Sequence, residues 1–163
     1  MKFQLCVIFS LMSLIIKAQT IKLDSSNLPI CIIDTRGKTI ANEPKILAHM
    51  KIIYNGPGKT NSVKDLKYNY NNFIAIEIRG NSSQSYPQKQ YGIELRDSVS
   101  GNDLDTTILD MPKEEDWVLY APYNDISLLR NVMTYHFWNE MGHWGPRTRL
   151  CELVLNNEYV GVY

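Results

Sequence analysis

The chain has 163 residues, 17 Lys+Arg against 17 Asp+Glu, and 44% hydrophobic residues. That composition fits one globular domain with a buried core, and it excludes a disordered, collagen-like or coiled-coil chain. The balanced charge gives no electrostatic footprint for nucleic acid or an anionic membrane.

The first element is a targeting segment. Met1-Lys2 is a short positive region, Phe3 to Ile16 is apolar except for Gln4, Ser10 and Ser13, and Ala18 suits a cleavage site. Residues 1–18 therefore read as a secretory signal peptide, with a buried N-terminal helix as the competing reading. The apolar run is too short to cross ~30 Å of hydrocarbon as a helix, so no membrane span is expected after its removal. The expected location is secreted or in the cell envelope. Loss of Lys2 and Lys17 leaves 15 basic against 17 acidic residues, a net charge of −2.

Cys31 and Cys151 remain in the mature chain. Each sits in an apolar run, which favours two buried thiols over the disulfide that an exported protein can keep. His49, His136 and His143 lack metal-ligand spacing, and no residue is assigned to a metal. His136 is expected to pack beside Phe137.

Further along, Leu28 to Asp34 and Ile46 to Tyr54 read as strands, each closed by a turn signal. An Asn- and Lys-rich exposed loop follows, up to Asn72. Phe73 to Arg79 alternates, with Ile74, Ile76 and Ile78 on one face of a half-buried strand. Gly80 to Ser85 is a loop of small polar residues. Gln88 to Arg96 is the next strand, residues 98–115 a surface excursion, and Asp116 to Ala121 a short strand. A helix begins near Asn124 or Asp125, either of which can cap it, and stops at Gly142 and Pro146. Its apolar stripe is Ile126, Leu129, Met133, Phe137 and Met141, with Arg130 and Glu140 inside the same arc. Asn156-Asn157 then turns a hairpin pairing Leu155 with Glu158, Leu153 with Val160 and Cys151 with Val162. The fold class is α+β: an antiparallel, β-rich sheet with one main helix, followed by a β-hairpin.

Two strands carry the informative polar residues. Lys89 has the parity of Tyr91, Ile93 and Leu95 and therefore points inward, or snorkels to water at the strand start. Beside the Gly80–Ser85 loop it is a candidate anion-binding lysine, because backbone N–H groups in such a loop approach phosphate closely. Glu140, on the inner helix face, is a candidate to hold that ammonium, or a solvated residue at the helix end. Arg130 is either an anion clamp or a structural tie to the Asp125 or Asp116 region.

Several segments together resemble one family. Arg79-Gly80-Asn81-Ser82-Ser83, with Tyr86-Pro87-Gln88-Lys89-Gln90-Tyr91, resembles the signature of the CotH kinase family. Asp116-Trp117-Val118-Leu119, Ala121-Pro122-Tyr123-Asn124-Asp125, Ser127-Leu128-Leu129-Arg130-Asn131 and the hairpin from Glu152 to Tyr163 resemble its later pieces in order. The family usually has Pro-Lys-Lys; here Gln88 replaces the first lysine and Lys89 keeps the second.

The resemblance implies an atypical protein kinase with a kinase-N-lobe-like sheet, binding ATP with Mg²⁺ or Mn²⁺ and transferring phosphoryl groups to protein hydroxyls. Residues 19–163 would be the N-terminal part of that domain, truncated at its C-terminal side and lacking a C-terminal lobe. The family's catalytic and metal-binding aspartates would lie beyond Tyr163, so no catalytic residue is assigned and the piece alone is expected to be inactive. The cofactor-binding candidates are Lys89, Arg79, Gly80, Asn81, Ser82, Ser83, Arg130 and Glu140. A non-catalytic extracellular surface, adhesion or glycan-binding module is the alternative.

Overall fold

The computed structural model describes residues 22–163; the signal peptide assigned to residues 1–18 lies outside the described residues. The strands are β1 (Ser25–Ser26), β2 (Ile30–Asp34), β3 (Ile46–Ile53), β4 (Asn61–Ser62), β5 (Tyr70–Arg79), β6 (Gln90–Arg96), β7 (Asp116–Leu119), β8 (Glu152–Leu155) and β9 (Glu158–Val162). A 3₁₀ turn (Ser82–Ser85) and helix α1 (Arg130–Glu140) complete an α+β fold.

Seven strands form one sheet in the order β7-β6-β5-β3-β2-β8-β9, and β1 and β4 form a small ladder beside it. Every pairing is antiparallel except β2 with β8. One face carries the core with period two, since successive side chains in a strand alternate faces. Cys31 and Ile33 of β2, Met50 and Ile52 of β3, Ile74 and Ile76 of β5, Tyr91, Ile93 and Leu95 of β6 and Leu153 of β8 pack into one cluster. Fully burying an Ile or Leu there contributes about 1.5–3 kcal/mol. A smaller cluster of Ile30, Ile53 and Val154 lies outside that core. Cys31 and Cys151 are buried free thiols.

The sheet curls. β6 and β9 are far apart in strand order, yet Gln88 Nε2 donates to the Val162 carbonyl at 3.0 Å and Tyr163 stacks on Tyr91.

Several expectations are corrected. Residues 98–115 are not merely a surface excursion, because Ile108, Leu109 and Met111 enter the main core. The Asn-rich loop before β5 is anchored by Asn61, which is fully buried and donates to the Leu28 carbonyl. The hairpin turns at Asn156-Asn157, but a bulge between Leu153 and Val154 shifts its register. Leu153 therefore faces Gly161 and Glu152 faces Val162. Gly161, at φ +131°, absorbs the irregularity that a residue with a Cβ would resist.

The helix begins later than its sequence signals indicate. Asp125 instead closes the preceding turn, accepting from the Ser127 and Arg130 amides. The expected apolar stripe is exposed, while Asn131, Val132, Tyr135 and Asn139 are the half-buried residues of α1. On that face, the Asn139 Oδ1 accepts from the Gly145 amide and its Nδ2 donates to the Tyr135 carbonyl, which ties the return loop to the helix. His136 does lie beside Phe137, with ring centroids 5.9 Å apart.

Candidate functional site

β5 ends at Arg79 and delivers the chain into a tight polar turn. Gly80 has φ +100°, and a Cβ there would lie 2.1 Å from Ser83 Oγ, so this position requires glycine. The Gln84 amide donates to the Asn81 carbonyl and the Tyr86 amide to the Ser83 carbonyl. The Gln84 side chain adds bonds to the Gly80 carbonyl and to Asn42 Oδ1. Arg79, Gly80, Asn81 and Ser82 are exposed and Ser83 is half-buried.

Lys89 lies just before β6 and is half-buried. Its ammonium donates to the Gln84 carbonyl at 2.7 Å, so it sits against the turn that Gly80 begins. No carboxylate pairs with it among the described residues. A lysine held this way supplies a positive charge and further N–H donors beside a turn of small residues.

Two other segments fix this corner. Tyr86 stacks on Tyr123 with centroids 5.2 Å apart, and Asn124 Nδ2 donates to the Tyr86 hydroxyl at 2.6 Å. From the opposite side, Tyr163 donates its hydroxyl hydrogen to the Lys89 carbonyl. The loop after β7 and the end of β9 thus both brace the segment between the turn and β6. These contacts were invisible as roles in the sequence. Their only signal was that Tyr86, Gln88, Tyr123 and Asn124 stand inside the segments that resemble the family signature.

The remaining candidates lie elsewhere. The Lys89–Glu140 ion pair is not formed. Glu140 is exposed at the end of α1 and lines a polar cleft of about 200 Å³ with Asp110, His136 and Arg147. Arg130 lies at the other end of α1, its Nε 3.4 Å from Asp125 Oδ1, which is the structural tie weighed from sequence. Hydrogen bonds from Ser127, then from the Arg130 amide, hold the Asp125 carboxyl below the usual carboxylate range.

A charged cluster the sequence reading missed lies on the outer face of the sheet. Lys45 sits 3.9 Å from Glu77 and in direct contact with Glu94, and Arg96 bridges Glu94 and Asp103. The Lys45 hydrogen bond is the main cause holding the Glu94 carboxyl below its ordinary range. Every member has a partner of opposite sign, which marks a structural network. Among the described residues, no group of three or more His, Cys, Asp or Glu side chains is arranged to hold a metal.

The fold and this corner define an α+β domain with a glycine turn and a lysine braced at one end of a curled sheet. The sequence model of the family described as CotH kinase protein matches residues 76–163, from within β5 to the end of the hairpin. The chain belongs to the CotH kinase family. No curated protein matches it.

Proposed function

We propose that this chain is the nucleotide-binding part of an exported CotH-like protein kinase, with ATP phosphates received by the Arg79–Ser83 turn and Lys89. The observation that carries this reading is the Lys89 ammonium, held on the Gln84 carbonyl beside the turn without a carboxylate to neutralise it. The match to the family described as CotH kinase protein supports this choice of reaction class. Arg79 and Lys89 supply positive charge, and the exposed backbone of Gly80, Asn81 and Ser82 supplies N–H groups at a position where glycine permits close approach. A divalent metal bound with ATP would neutralise phosphate charge during transfer to a protein hydroxyl. Residues 1–18 direct export and are removed.

Phosphoryl transfer rests on positioning and electrostatic stabilisation, so loss of the lysine charge should remove most of the rate. The test is transfer from γ-labelled ATP to an acceptor protein by the purified protein, in Mg²⁺ or Mn²⁺. Label transfer that falls at least about tenfold in Lys89→Ala supports the reading. Absence of transfer, with retained binding to glycans or cell surfaces, moves the assignment to an adhesion module. N-terminal sequencing of the exported protein tests the processing; an intact Met1 contradicts it.

A further inference from the structure

Gln84 sits where three segments meet. Its main-chain carbonyl accepts from the Lys89 ammonium at 2.7 Å. Its side-chain amide donates to the Gly80 carbonyl and, at 2.7 Å, to Asn42 Oδ1. The Gly80 carbonyl can only accept, which fixes the end of the amide that faces it, and both amide hydrogens are then used. One residue thus joins the start of the glycine turn, the loop before β3 and the lysine before β6.

The turn depends on such a tie. Ser82–Ser85 is a single 3₁₀ turn in which no residue is buried and no side chain caps the N-terminal end. Hydrogen-bond geometry in a 3₁₀ turn is poorer than in an α-helix, and burial does not hold this one. The Ser85 hydroxyl bonds back to the Ser82 carbonyl and stays inside the turn, whereas the Gln84 amide reaches outside it. Its anchor is itself fixed. The Ala41 carbonyl, next to Asn42, accepts from the Ile78 amide of β5 at 2.8 Å. Contacts therefore run from β5 through Asn42 and Gln84 to the Lys89 ammonium. A lysine stem is flexible, so the carbonyl that receives the ammonium decides where its charge rests. That carbonyl takes one N–H donor and leaves two for a ligand.

We infer that Gln84 is a positioning residue of the phosphate site: its side chain holds the turn so that its carbonyl places the Lys89 ammonium. The inference rests on the reading that this corner receives ATP phosphates, and it adds the residue that sets the lysine in place.

Gln84→Met tests it, because methionine keeps the length of the side chain and removes both donors. Two quantities are measured. The first is the NMR resonance of the Lys89 ε-methylene without nucleotide, identified by its loss in Lys89→Ala. The second is the affinity for Mg·ATP by titration. In Gln84→Met the resonance should shift or broaden, and the affinity should fall at least about threefold. Asn42→Ala removes one of the two acceptors and should move both quantities the same way by less. It carries the test should circular dichroism show that Gln84→Met does not fold. Lower affinity with an unchanged Lys89 resonance would confine the effect to the turn and overturn the inference. A changed resonance with unchanged affinity overturns it, as does no change in either. A folded wild-type chain that does not bind Mg·ATP overturns the phosphate reading itself and this role with it.

Discussion

Tyr163 donates its hydroxyl hydrogen to the carbonyl of Lys89 at 2.9 Å, joining the end of the hairpin to the residue just before β6. The same ring stacks on Tyr91 at 6.2 Å between centroids. Strand order alone would leave these segments apart, since five ladders separate β6 from β9. The curl of the sheet brings them together, and the lysine backbone is fixed by a residue 74 positions later in the chain.

Tyr163→Phe should therefore cost stability and affinity together. Loss of this part-buried hydrogen bond is worth about 0.5–1.5 kcal/mol. Urea unfolding should show that decrease, accompanied by weaker ATP binding. Unchanged affinity with lowered stability would separate the brace from the site.

Gly80→Ala should be worse than an ordinary loop substitution. The φ of +100° is strained for alanine, and its Cβ would collide with Ser83 Oγ. A loss of about 1 kcal/mol or more is expected in denaturant unfolding, against little change for Lys38→Ala on the exposed surface. Wild-type stability in Gly80→Ala would show that the turn is not held as described.

Asp125 gives an acid-side test. Its carboxyl is held below the usual range by Ser127, then by the Arg130 amide, so its contribution is present above the ordinary carboxylate pKa and lost as pH falls through its lowered value. In Asp125→Asn the melting temperature should fall at neutral pH, and the deficit should narrow as pH drops through the acid range. A deficit independent of pH would contradict the charged role.

Two tyrosines give the alkaline counterpart. Burial pushes Tyr70 up to about 12, and burial with the Glu152 hydrogen bond pushes Tyr159 up to about 12. Both are protonated in the fold above the value at which an unfolded tyrosine ionises, near 10. Their contribution is complete below about 10 and is lost as pH rises towards about 12. Absorbance titration should show late-ionising tyrosines whose ionisation accompanies unfolding, and Tyr159→Phe should remove one of them.

The local elements were legible because alternation and turn chemistry are local. Ile74, Ile76, Tyr91, Ile93 and Leu95 announce their strands by parity, and Asn156-Asn157 announces its turn. What escaped the sequence was non-local. The parallel pairing of β2 with β8 joins Cys31 to Leu153 across 122 positions, and no periodicity encodes it. The bulge after Leu153 lies opposite Gly161, where an added Cβ would sit 3.1 Å from Gln88 Nε2, a neighbour far away in sequence. The apolar stripe of α1 is exposed, and the opposite, half-buried face carries Asn139, which holds the return loop; stripe periodicity alone does not say which face a helix buries. At the site, parity and segment singled out Lys89 in the sequence, whereas its carbonyl partner and the Tyr86–Tyr123 stack needed the fold.

The central claim is that the Gly80 turn and Lys89 receive the phosphates of ATP. Isothermal titration of the purified chain with Mg·ATP, beside Lys89→Ala and Lys38→Ala, tests it most directly. Saturable binding is predicted, weakened at least about tenfold in Lys89→Ala and unchanged in Lys38→Ala. Equal affinity in wild type and Lys89→Ala, or no binding by a folded wild-type chain, would contradict it.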